Sequence, residues 1–149
     1  NIFKILVNSS DRILIEDEPV TDLTGLRDQV KEFVLNFGNV DEESMALYNS
    51  LPGTLKAMAK QSDTSSDNPT EAVISFKADR GTSYDIYIGI LDELQGAYYE
   101  IYGDRVGLTA DEFRALDRKK PDDMELYSKA RDGFPMNISI AEPTKIGGN

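Results

Sequence analysis

Phe76-Lys77-Ala78-Asp79-Arg80-Gly81-Thr82-Ser83-Tyr84-Asp85 carries a buried-strand pattern through a charged turn into the start of a helix. The apolar run just before the turn, Ala72-Val73-Ile74-Ser75-Phe76, has the length and β-branched content of a central strand. After the turn, Thr82 with Asp85 three positions on predicts an approximate capping box, the shorter carboxylate standing in for the usual glutamate. Tyr84, Tyr87, Ile88, Leu91, Leu94, Tyr98 and Tyr102 then recur at helical spacing and predict one amphipathic helix ending near Gly103. A strand that turns directly into a packed helix points to a sheet backed by a helical layer.

Upstream, Ile2-Phe3-Lys4-Ile5-Leu6-Val7 and Ile13-Leu14-Ile15 flank the polar cluster Asn8-Ser9-Ser10-Asp11-Arg12, which predicts an antiparallel hairpin. Pro19 ends the second strand, and Thr21 or Asp22 is placed to cap the following helix. Leu23, Leu26, Val30, Phe33, Val34 and Phe37 form its apolar stripe, with Arg27, Asp28, Lys31 and Glu32 on the other side and Gly38 as a stop. The Ala72–Phe76 strand is expected to lie parallel to the Ile13 strand across this helix.

Residues 39–70 read as an insertion. Asp41 caps a short helix with Met45, Leu47 and Tyr48, Pro52-Gly53 breaks it, Leu55 to Ala59 forms another, and Gln61 to Asn68 is a polar loop. Residues 103–136 read as a helical extension, with Thr109 and Glu112 as a capping box and Pro121 opening a further helix with Met124, Leu126 and Tyr127 before Gly133. Asn137-Ile138-Ser139-Ile140-Ala141 alternates polar and apolar and predicts a late strand closed by Pro143. The expected fold is α+β, a two-layer α/β domain over residues 1–149, with a mixed sheet of about four to five strands and two main helices on one face.

Composition narrows the function classes. The 149 residues carry 27 acidic and 16 basic side chains, a net charge of −11, which repels a phosphate backbone and argues against nucleic acid. There is no cysteine, hence no disulfide or thiolate chemistry, and no histidine, which removes the commonest general base and transition-metal ligand. Most hydrolase and metalloenzyme mechanisms lose their usual side chains. No apolar run approaches the ~20 residues that span a bilayer. The chain opens on an asparagine, as expected of a segment processed or cut from a longer protein.

Four clusters invite a chemical reading. Glu16, Asp17 and Glu18 are consecutive; strand alternation lets only Glu16 and Glu18 converge, and a solvated strand end explains them better. Asp63, Asp67 and Glu71 lack the order and the glycine of a calcium loop. Asp79 and Arg80 occupy a strand-to-helix junction, where α/β sheets hold ligands, but Gly81 stands alone without a phosphate cradle. Tyr84, Tyr87 and Tyr98 fall on the helix stripe and are expected in the core, whereas Tyr99 falls off it and is the candidate for an exposed contact. The Asn8 and Asn137 glycosylation sequons read as chance matches. No catalytic residue, cofactor or metal ligand is assigned.

Two junctions, Asp17-Glu18-Pro19-Val20-Thr21-Asp22 leading into the first main helix and Phe76-Lys77-Ala78-Asp79-Arg80 leading through Tyr84 to Leu91-Asp92-Glu93-Leu94, resemble the periplasmic domain of the ExbD/TolR biopolymer-transport family. The likeness covers Phe3 to Phe37 and Ala72 to Tyr102, closer to ExbD than to TolR, with a Phe134-Pro135-Met136-Asn137-Ile138-Ser139 tail similar to ExbD of Bacteroidetes-type bacteria. The resemblance implies a homodimeric, non-enzymatic domain held at the bacterial inner membrane by a helix outside this chain and projecting into the periplasm. It implies a motor driven by the proton gradient, with an ExbB-like membrane protein and a TonB-like transducer as partners. The alternative is a TolR-like, peptidoglycan-binding module of an envelope-maintenance motor. The insertion and the helical extension depart from the minimal domain of that family. An extended partner strand would add at an open sheet edge, first at Asn137, Ile138, Ser139, Ile140 and Ala141, with Tyr99 as the wall-facing contact.

Overall fold

A computed structural model describes residues 2–38, 41–59 and 68–141 of the chain. Five strands form one mixed sheet: β1 (Ile2–Val7), β2 (Ile13–Ile15), β3 (Glu18–Val20), β4 (Val73–Ala78) and β5 (Ile138–Ala141), in the order β3-β2-β1-β4-β5. β1 pairs antiparallel with β2, as the hairpin pattern predicts, and β2 antiparallel with β3. β4 lies beside β1 and parallel to it, and β5 is parallel to β4. The expected parallel pairing of the Ala72–Phe76 strand with the Ile13 strand is therefore corrected. The hairpin reverses β2, and the helical crossover returns the chain to the far side of β1, so β2 and β4 run in opposite directions with β1 between them.

Alternation sorts the sheet into two faces. Phe3, Ile5 and Val7 of β1, Ile13 and Ile15 of β2, and Ile74, Phe76 and Ala78 of β4 are buried under the helices. Their neighbours Lys4, Leu6, Leu14, Ser75 and Lys77 point the other way and are half-buried or exposed. The covering layer is built on α1 (Leu26–Val34) and the long α4 (Tyr84–Val106), which pack on one another. α2 (Glu42–Ser50), α3 (Gly53–Met58), α5 (Ala110–Arg114) and α6 (Pro121–Arg131) complete the described helices.

α1 begins later than expected. Asp22 Oδ1 accepts from the Thr24 N–H rather than capping the helix, and Gly25 holds the N-cap with a left-handed φ of 84°. Leu26, Val30 and Val34 are fully buried, confirming the stripe, but Lys31 is buried too. Lys31 is buried and Arg27 half-buried because α4 offers them carboxylates: Arg27 Nε to Glu93 at 2.7 Å, Arg27 to Glu100 at 2.8 Å and Lys31 Nζ to Glu100 at 3.1 Å. A Cβ at Gly96 would stand 2.6 Å from the Arg27 guanidinium carbon, so this glycine gives the ion pairs their room.

α4 is the central helix. Ile90, Leu94, Ala97, Tyr98, Ile101 and Tyr102 are buried, on more than one side, because α1, α5 and α6 all pack against it above the sheet. A single stripe cannot describe a helix enclosed this way. Hence Tyr84 is 75% exposed, against expectation, while Ile90 and Ile101 are core. The cap is Ser83, whose hydroxyl accepts from the Ile86 N–H; Thr82 instead donates to Asp79 O at 2.7 Å. The helix runs past Gly103 to a left-handed cap at Gly107.

The two added segments belong to the same core. Leu51 and Leu55 from residues 39–70, and Phe113, Ala130 and Phe134 from residues 103–136, are buried in one cluster with the sheet residues. The Thr109–Glu112 capping box forms as read, Asp41 caps α2 as read and adds a reciprocal bond with Ser44, and Pro121 occupies the first turn of α6.

Candidate functional site: the open sheet edge

The two ends of the sheet differ chemically. β3 is an edge strand holding Pro19, which has no N–H to offer a further strand. Pro19 does not end β2 as expected, because the chain turns within Glu16-Asp17 and returns as β3. Both turn residues have left-handed φ, 52° and 69°, the geometry a two-residue hairpin turn of type I′ requires. Glu16 uses its carboxylate to accept from the Lys4 backbone N–H at 2.6 Å. Glu16 and Glu18 therefore do not converge, and the carboxylate cluster is a hairpin end.

β5 is the other edge and carries neither proline nor charge among Ile138, Ser139, Ile140 and Ala141. Its entry is pinned from four directions. Phe134 is buried with the Arg105 guanidinium over its ring, and the Tyr102 hydroxyl donates to the Phe134 carbonyl at 2.6 Å. Asn137 Nδ2 donates to the Ala72 carbonyl at 3.3 Å, and the Asn137 carbonyl accepts from the Ile74 N–H at 2.9 Å. Because backbone groups of a strand alternate in direction, residues 137, 139 and 141 face β4. The N–H and C=O of Ile138 and Ile140 then point outward, away from the sheet. Ile140 is 41% exposed on the helix-side face, so a strand added there meets an apolar side chain as well as backbone groups that no other described strand pairs with.

Burial raises the pKa of both tyrosines behind this edge. Tyr102 is pushed up to about 12, chiefly by desolvation and against the nearby Arg131. Tyr98 is raised further, again by burial, and its hydroxyl lies near the Asn137 backbone without reaching hydrogen-bonding geometry. These hydroxyls remain protonated at neutral pH and act as donors or as packing, not as bases.

Tyr99 is not the exposed contact expected of it. It is half-buried, with its ring 6.1 Å from Phe113 and 6.4 Å from Tyr102, and the Arg114 guanidinium 4.8 Å over its face. Phe113 stacks in turn on Tyr127 at 5.5 Å. The helical extension made this cluster, and periodicity within α4 alone could not show it.

Other chemistry resolves into structure. Asp79 donates its backbone N–H to Val7 O, and Thr82 Oγ1 ties the same turn to Asn8 O, so the Asp79–Arg80 junction locks the two loops at the end of β1 and β4. Asp11 completes the lock by accepting from the Ser83 N–H at 2.8 Å. Both sequon asparagines spend their side chains internally, Asn8 on the Ser10 and Arg12 N–H groups and Asn137 as above.

Two carboxylates on α4 escaped the sequence reading. Burial raises Glu100, but Arg27 and Lys31 outweigh it and hold the pKa below the usual range; burial raises Asp104, with Lys31 opposing and Glu100 reinforcing. Such a split can mark an acid/base pair. Here it accompanies an interhelical ion network, and neither residue lines either of two grooves of about 560 and 570 Å³. The signal was the Glu100/Asp104 and Arg27/Lys31 spacing of four on both helices.

The larger groove lies between α2, the turn at residues 68–71 and the end of α6. It holds four carboxylates, of Asp41, Glu43, Glu71 and Asp132, facing Arg105 and Lys129. Asp41 is committed to the α2 cap, which lowers its pKa through the Ser44 N–H and hydroxyl. Among the described residues no cluster of His, Cys, Asp or Glu could hold a metal ion; Asp63 and Asp67 lie outside those residues. No described helix is long and apolar enough to cross a membrane. Comparisons with protein-family models, with curated proteins and with solved structures returned no match.

Proposed function

We propose that this domain is a non-enzymatic coupler of the ExbD type, which takes an extended segment of a TonB-like transducer as a further strand on β5. On this reading it works in the periplasm, as a homodimer tethered to the inner membrane and partnered there by an ExbB-like protein. One observation carries the proposal: a single sheet has one edge closed by Pro19 and the other, at Ile138–Ala141, without charge and, among the described residues, without a further strand on its outward backbone groups. Strand addition draws affinity from backbone hydrogen bonds and selectivity from alternate side-chain positions, which needs no nucleophile, metal or cofactor. The junction motifs at residues 17–22 and 76–80 supply the family likeness.

The test is a titration of a peptide from the periplasmic part of a TonB-like transducer into the labelled domain, followed by amide NMR. The Ile138 and Ile140 amides should shift most. Ile140→Pro removes an outward N–H together with the exposed isoleucine side chain, leaves every N–H that faces β4, and should weaken binding by about tenfold, near 1.4 kcal/mol, while the fold survives. Ser139→Pro removes an N–H that faces β4 and should unfold the strand. Silent β5 amides in the bound state, or equal affinity for Ile140→Pro, would overturn the proposal.

A further inference from the structure

The face of the sheet turned away from the helices is chemically ordered. Pairing registers align Pro19, Leu14, Leu6, Lys77 and Ala141 in one row across all five strands. The next row holds Lys4, Ser75 and Ser139, and the last holds Ile2 and Val73. Leu6, Leu14 and Val73 are half-buried, and Ile2 is 50% exposed, so apolar surface runs along this face without a helix to cover it. The first row deepens into a groove of about 560 Å³, floored by Leu6, Leu14 and Pro19 and rimmed by Arg12, Lys77 and Asp79. Its size suits a few inserted side chains.

Charge identifies the occupant. Among the described residues the only ionic side chains that the strands project from this face are Lys4 and Lys77, both exposed, and Arg12 adds a third cation at the groove rim. Among the described residues none of the three is in an ion pair. Two carboxylates lie nearby: Asp79 on the rim, and Glu16, whose oxygen is turned to the Lys4 backbone N–H. In a chain of net charge −11, this is a cationic, apolar surface on an acidic body. A second copy laid face to face would set Lys4 and Lys77 against the same lysines, and like charges across an interface are costly. A concave groove with a two-lysine flank also matches inserted side chains better than a flat lipid surface.

We propose that the open sheet face docks an acidic amphipathic segment of a partner protein, with large apolar side chains in the Leu6–Leu14–Pro19 groove and carboxylates against Lys4, Arg12 and Lys77. This surface is separate from the β5 edge, so both can be occupied at once.

The experiment pans a random-peptide display library on the full chain and measures the enriched peptides by fluorescence anisotropy. Enriched sequences should place Asp or Glu around two or three large apolar residues. Lys4→Glu with Lys77→Glu, both at exposed positions, should weaken them by about tenfold or more. Peptides with Lys in place of Glu should then bind the double variant in their stead. Leu14→Asn should weaken binding as well, and Ile140→Pro should leave it unchanged. Enriched peptides that are basic or neutral, or that ignore the double variant, overturn the proposal. Binding to phosphatidylglycerol vesicles with no peptide enriched overturns it in favour of a lipid-facing surface. A concentration-dependent dimer broken by Leu14→Asn overturns it in favour of self-contact.

Discussion

The two edges of this sheet are both short, yet they are guarded by opposite means. β3 ends the sheet with Pro19 and a charged, left-handed turn at Glu16-Asp17, and its hold on the body is the pairing with β2. β5 has an unguarded outer line but a guarded base: Phe134 in the core, the Tyr102 hydroxyl on its carbonyl and Asn137 on the Ala72 carbonyl. Edge strands that expose free backbone invite aggregation unless blunted. A sheet that blunts one edge and firmly anchors the other, unblunted one keeps a rigid template for pairing, which is what the proposed strand-accepting role needs. The contrast is measurable, because each side's anchors can be removed separately.

The largest effect is expected from Phe134→Ala. This residue is fully buried, and truncating a buried phenylalanine costs about 3–5 kcal/mol, a large part of the 5–15 kcal/mol typical of a domain. Urea unfolding should register the loss. Hydrogen exchange should localise it, with the Ile138–Ala141 amides opening well before those of the β2–β3 hairpin. If the two edges open together in this variant, the separate anchoring of β5 is wrong.

Alkaline titration should give the next largest effect. The Tyr102 pKa stands at about 12 against an ordinary 10.0, so the folded state favours the protonated phenol. Its contribution is whole below pH 10 and is lost as the pH rises from 10 through about 12, because the folded protein must then give up a proton it holds tightly. Ionisation also removes the donor to the Phe134 carbonyl. Methyl NMR should show Ile138 and Ile140 losing their native shifts in this window ahead of Ile13 and Ile15. Tyr102→Phe should cost about 1 kcal/mol at neutral pH and weaken the alkaline dependence without abolishing it, since Tyr98 is raised by burial as well. A hairpin that melts first would reverse the comparison.

The strand of the open edge was legible in the sequence, whereas its support and the closed edge itself were not. Local signals read correctly: the hairpin around Asn8–Arg12, the Leu26–Val34 stripe, the Thr109 and Asp41 caps and the strand at Ile138–Ala141 all follow from short-range chemistry. What failed depended on partners distant in sequence. Lys31 looked solvated until Glu100 met it 69 positions away, and Tyr99 looked free until Phe113 and Arg114 covered it. Residues 39–70 and 103–136 looked peripheral because their apolar residues are sparse, yet Leu55, Phe113 and Phe134 enter the main core. The β3 strand was missed because Pro19 reads as a terminator, and only pairing reveals that an edge strand tolerates it.

The smallest effect concerns the turn that makes the closed edge. Glu16 and Asp17 both adopt left-handed φ, at about 1–2 kcal/mol each for residues with a Cβ, where Asn-Gly would be the favoured pair. Asp17→Gly should therefore stabilise the domain by about 0.5–1 kcal/mol, the lost strain being partly offset by glycine's greater freedom in the unfolded chain. Adding Glu16→Asn relieves the second strained position but removes the carboxylate that accepts from the Lys4 N–H at 2.6 Å, a contact worth about 1 kcal/mol. The double variant should thus gain no more than Asp17→Gly alone. Thermal or urea unfolding of the two variants distinguishes the cases. A clear further gain in the double variant would mean that Glu16 is merely tolerated. Equality would mean that its bond to β1 offsets its strain, tying the closed edge to the central strand as firmly as its short length allows.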